Sequence, residues 1–192
     1  IRRNARMASN ASDSTSDSAS NVVGRGAYLE GREYLIKAIQ LKQEGADRVG
    51  ITLTLNSARQ KTEQALAGGY SPLEVIVQMV DVCCKQFWHF YSIEGVAPNG
   101  TDLYERITRH MELAVSTCKE TTKFRSNIKQ NSGAIRYLLS VTNALISANT
   151  HKRFPQPYSG RFADACEELG GVLAMAGIQD DERVAALLNV RP

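Results

Sequence analysis

The stretch Ser71 to Tyr91, SPLEVIVQMVDVCCKQFWHFY, decides the fold. Pro72 suits the first position of a helix, and Ser71 with Glu74 three residues on reads as a capping box. About five turns of nearly unbroken apolar character follow. The polar residues Glu74, Gln78, Asp81, Lys85, His89 and Ser92 recur every three or four positions, so they form one narrow stripe. Every other side chain, Cys83, Cys84 and Trp88 included, then faces protein. This is a central core helix. Asp81 and Lys85 read as a surface pair at i,i+4, and His89 as a partly exposed or hydrogen-bonded histidine rather than a metal ligand.

Upstream, Tyr28, Leu35 and Ile39, flanked by Ile36 and Leu41, predict one buried helical face between Ala27 and Glu44, with Gly45 as the stop. Val49, Ile51, Leu53 and Leu55 alternate like a strand. A lone strand has no partner, so an extended connector or the first turns of the next helix is preferred. That helix continues through Asn56 to Ala67 and ends at Gly68-Gly69. Residues Ile1 to Gly26 are basic at first and then rich in Ser, Asp and Ala. They read as an extended N-terminal arm, disordered or ordered by a partner.

Downstream, a turn-rich loop (94–100) precedes a helix capped by Thr101, with Leu103, Ile107, Met111, Ala114, Val115 and Cys118 on its inner face. The polar, basic segment Lys119 to Gly133 either extends that helix or connects it to the next, whose apolar positions are Ile135, Leu138, Leu139, Leu145 and Ile146. Pro155 and Pro157 mark an extended arm from His151 to Phe162. Short helices follow: Ser159 to Leu169, closed by Gly170-Gly171, then Val172 to Ala176, and Asp180 to Asn189 with an acidic start. The expectation is all-α: a single helical domain, 27–192, of about six or seven helices around the central one.

Composition sets outer bounds. With 43% hydrophobic and 22% charged residues the chain can build one core. A net charge of +3 permits a polyanionic partner without arguing for one. No apolar run is long enough to span a bilayer. The cysteines Cys83, Cys84, Cys118 and Cys166 include no C-x-x-C, which points to reduced thiols in an intracellular setting.

No nucleophile elbow, Walker loop or H-E-x-x-H is present, and Gly24, Gly26 and Gly31 are wrongly spaced for a dinucleotide fingerprint. The expectation is therefore a non-enzymatic chain. Three features are candidates for function. The basic stretch through Lys123, Arg125 and Lys129 either meets an acidic partner or is a solvated helix face. The arm carrying Lys152, Arg153, Phe154 and Tyr158 either enters a partner groove or packs back on its own domain. The cysteines are core residues or reactive thiols, with Cys118, beside Lys119 near a helix end, best placed for a lowered pKa.

The N-terminal RRNARMAS resembles the cleavage region of plastid-targeted algal proteins, and the helical body with scattered cysteines and polar arms is similar to linker proteins of red-algal phycobilisomes, including the γ-subunit type. That resemblance implies a plastid setting, phycobiliprotein partners and a bilin on one of Cys83, Cys84, Cys118 or Cys166, with Asp81 near the pyrrole nitrogens. The sequence carries no matching linker motif. The leading functional expectation is a structural or linker subunit of a large assembly. The alternatives are a scaffold or capsid-type protein coating nucleic acid, and a small enzyme that uses Cys118.

Overall fold

The computed structural model describes residues 13–94, 101–123, 125–150, 154–178 and 181–189. The described residues are all-helical, in seven helices: α1 (Asp13–Gln43), α2 (Arg48–Ala67), α3 (Pro72–Glu94), α4 (Thr101–Lys123), α5 (Arg125–Thr150), α6 (Tyr158–Met175) and α7 (Glu182–Leu188). Among them there is no strand, and no helix is long and apolar enough to cross a membrane.

α3 is the central helix that its sequence predicts. Its Ile76, Met79, Val80, Cys83 and Phe87 join Ile107, Met111, Leu138, Leu139, Phe162 and Leu169 in the main core formed with α4 to α7. Its opposite side packs on the first two helices, with Val82 against Leu35, Ile51 and Leu55. The helix starts at Pro72 as expected, but Ser71 has φ 28°, outside the extended geometry of a capping serine.

Most of the polar stripe of α3 does not face water. Gln78, Asp81 and His89 are buried together with Gln86, and each holds a neighbouring helix. Gln78 Nε2 donates to Thr62 Oγ1 and to the Tyr28 carbonyl, while Gln86 Nε2 donates to Asn56 Oδ1. His89 Nε2 lies 2.9 Å from Thr52 Oγ1. The Thr52 hydroxyl already donates to the Arg48 carbonyl, so it accepts from His89 Nε2–H. Because unmade hydrogen bonds cost so much inside a core, these pairs fix how α1 and α2 sit on α3. Of the stripe, Lys85 and Ser92 remain exposed. The expected Asp81–Lys85 surface pair is instead a buried carboxylate with Lys85 Nζ 4.0 Å away.

α1 departs most from its predicted face. Its buried positions are Gly24, Ala27, Gly31, Leu35 and Ala38, whereas Ile36 and Ile39 are exposed. The opposing face of α2 is Ile51, Leu55, Ala58, Thr62 and Ala65. Small residues on both sides let the helices cross closely. A Cβ on Gly31 would lie 2.8 Å from both Gln78 Nε2 and Thr62 Oγ1, and one on Gly68 would lie 2.9 Å from Gly24 Cα. Close packing, not nucleotide binding, accounts for Gly24 and Gly31. The helix also begins at Asp13, inside the stretch read as an arm, and Gly24 is already buried.

The alternating run Val49 to Leu55 forms the opening turns of α2, one of the two readings preferred over a strand, capped by the Asp47 side chain on Gly50 N. One further expectation is corrected. Gly170-Gly171 does not end a helix: α6 runs through it to Met175. Gly170 is small because α7 crosses there, with Leu187 and Leu188 atoms 3.1 Å from where a Cβ would stand.

Candidate functional site

α1 and α5 both pack on α3, yet their backbones do not approach each other closely among the described residues. The gap between them is a cavity of about 450 Å³. α3 supplies its floor through Glu74, Val77, Gln78 and Asp81, α1 one wall through Arg32, Ile36 and Ile39, and α5 the other through Gly133, Ala134 and Tyr137. The volume falls in the range of ligand and peptide sites, and the lining is mainly apolar with a few polar groups.

Asp81 is the charged centre of this floor. It is 6% exposed, and its Oδ2 accepts a hydrogen bond from the Tyr137 hydroxyl. Burial raises its pKa, while the Tyr137 hydrogen bond and Lys85 pull it back down. Burial also raises the Tyr137 pKa, and the Asp81 carboxylate adds to the rise, so the phenol stays protonated as the donor.

The α1 wall extends beyond the cavity. Val22, Arg25, Leu29, Arg32, Ile36 and Ile39 are spaced three and four residues apart, which aligns them on one helical face. Val22 is 71% exposed, Leu29 45%, Ile36 47% and Ile39 36%. Arg25 and Arg32 on this stripe form no ion pair among the described residues. The stripe is an exposed, largely aliphatic face flanking the cavity.

The residues singled out from sequence are not gathered here, Asp81 excepted. Cys83, Cys84, Cys118 and Cys166 are all buried and free. Burial pushes the thiols of Cys83, Cys84 and Cys118 up to about 12 and raises that of Cys166 as well. Cys118 therefore lies opposite to its expected direction, since Lys119 turns outward to pair with Glu168 and leaves the sulfur in the core. Phe154 is buried too, stacked on Phe87 and Phe162, and Tyr158 stacks on Tyr104. These two aromatics of the arm close the core of their own domain. Lys152 and Arg153 lie outside the described residues, as do the side chains of Lys123, Arg125 and Lys129 where α4 gives way to α5.

Sequence reasoning misses Arg25, Leu29, Arg32, Ile36, Ile39, Gly133 and Tyr137. The signal for the α1 residues is a second apolar stripe, which in sequence merges with the buried one; Gly133 and Tyr137 of α5 carry no such signal. Among the described residues, no group of three or more His, Cys, Asp or Glu could hold a metal ion. No protein-family model, curated protein or solved structure matches this chain.

Proposed function

We propose that this chain is a non-enzymatic structural subunit that assembles with other protein chains through the groove between α1 and α5. The observation that carries this reading is the uncovered stripe Val22, Leu29, Ile36 and Ile39 beside a cavity walled by α5. A helix facing water on this side gains nothing from four large aliphatic residues, whereas one covered by a partner buries them. The grooved face is suited to recognition of a helix, which would lay apolar side chains between the walls and meet polar groups on the floor.

A light-harvesting linker is one subunit of this kind. The buried thiols give its pigment-bearing version no accessible attachment point, and the N-terminal residues that carry the resemblance lie outside the described residues. The test is the size of native complexes recovered by mild lysis. The wild-type chain is expected to migrate well above its own mass, and Ile36→Asp with Ile39→Asp to migrate alone while keeping its helical spectrum. Unchanged migration of the double variant contradicts the reading.

A further inference from the structure

The α3 floor of the groove and the α1 stripe along its wall carry opposite charges. The floor presents the carboxyl groups of Glu74 and Asp81, and the stripe presents Arg25 and Arg32, unpaired among the described residues. Val77 on the floor and Val22, Leu29, Ile36 and Ile39 on the stripe are apolar. A surface that holds both halves of a complementary pair can be satisfied by a second copy of itself about a twofold axis. Building on the docking reading above, we infer that the occupant of the groove is α1 of a second copy of this chain, forming an antiparallel dimer.

The register follows from how α1 lies on α3. Tyr28 is held at Gln78, and Leu35 packs with Val82, so the two helices run side by side in the same direction. An antiparallel α1 that sets its Arg25 beside Ile36 of the first copy places that guanidinium at the level of Asp81. The same register places its Arg32 toward Glu74 and its Ile39 beside Val22. Each copy then gives one arginine to a half-satisfied buried carboxylate, a charge-assisted contact in a partly dry site.

Two glycines fit this arrangement and nothing within their own chain. A Cβ on Gly26 of α1 or on Gly133 of α5 would meet no atom within 4 Å. Both positions leave room for close backbone approach by a neighbour. Gly133 lines the groove, and Gly26 flanks the stripe one residue beyond Arg25.

The test is sedimentation velocity of the full chain over a wide concentration range, with two charge-reversed variants, Arg32→Glu and Glu74→Arg. The wild type is expected to dimerise and each variant alone to dimerise at least tenfold more weakly. Mixing the two variants restores the dimer. The new carboxylate of the first variant then faces the new guanidinium of the second across one half of the interface, and the native Arg32 and Glu74 meet in the other half. A wild-type dimer that neither variant weakens, or a mixture that stays monomeric, overturns the inference. A wild type monomeric at every concentration also overturns it. In that case capture of a different protein, lost in Ile36→Asp, leaves the docking reading standing, and the absence of any such capture removes both.

Discussion

The hydroxyl of Tyr137 on α5 donates to the buried carboxylate of Asp81 at the middle of α3, beneath the gap that separates α5 from α1. The pair ties the groove floor to one wall while α1 forms the other independently. Removing the hydroxyl leaves the carboxylate without its hydrogen bond. Tyr137→Phe is expected to destabilise the fold by about 1–3 kcal/mol, measured by urea unfolding. Asp81→Asn, which keeps an acceptor and removes a charge that burial disfavours, is expected to cost less. Equal losses would mean that the hydrogen bond is not what holds the carboxylate.

His89 and His110 give stability a definite pH dependence. Burial lowers both pKa values below the ordinary 6.5, ahead of the backbone hydrogen bonds that oppose it. The unfolded chain therefore binds more protons than the folded one below about pH 6.5, and stability present above that pH is lost as the solution acidifies toward the folded values. Asp81 acts in the opposite sense: its raised pKa favours the fold below 3.8, and that contribution is lost as pH rises through the folded value. The urea midpoint is expected to fall between about pH 7.5 and about pH 5, which bracket the ordinary histidine value. His89→Gln should flatten the slope; a slope unchanged in that variant would assign the effect elsewhere.

The cysteines should be silent in the native protein. With thiols pushed up to about 12 by burial, Cys83, Cys84 and Cys118 remain protonated and covered at mildly alkaline pH. A thiol reagent such as DTNB is expected to label none of the four cysteines until denaturant is added. Rapid labelling of Cys118 in the folded chain would contradict its placement in the core.

Phe154 and Gly31 test the packing on the two sides of α3. Phe154→Ala removes a ring stacked between Phe87 and Phe162 and is expected to cost about 3–5 kcal/mol, far more than a residue on a free arm. Gly31→Ala sets a methyl 2.8 Å from Gln78 Nε2 and Thr62 Oγ1. It should destabilise by about 1–3 kcal/mol and raise hydrogen exchange in α1 and α2. Gly26→Ala, with open space around it, should instead stabilise an isolated chain by about 1 kcal/mol.

α3 is legible in the sequence because apolar residues run along almost its whole length, which no exposed helix tolerates. α4 is legible too, since Ile107, Met111, Ala114, Val115 and Cys118 are both spaced and buried as one face. α1 misleads for a physical reason. Its buried face is Gly24, Ala27, Gly31, Leu35 and Ala38, mostly residues too small to register as hydrophobic, while its larger Ile36 and Ile39 face the groove. Size normally marks the core, but where two helices cross closely the core side is the small one. Phe154 is left open by the sequence, since the prolines beside it fit a free arm as well as one packed back, and only the aromatic pocket of Phe87, Tyr104 and Phe162 shows where the ring goes. Asp81 stands out in the sequence, but its partner Tyr137 does not, since 56 positions separate them.

Whether the α1–α5 face is covered in the assembled protein is read most directly by amide hydrogen exchange, comparing the native assembly with the dilute isolated chain. Added protection is expected in two stretches, 22–39 of α1 and 133–137 of α5, with α6 and α7 unchanged. Protection gained elsewhere, with those two stretches exchanging equally fast in both samples, would contradict docking through this groove.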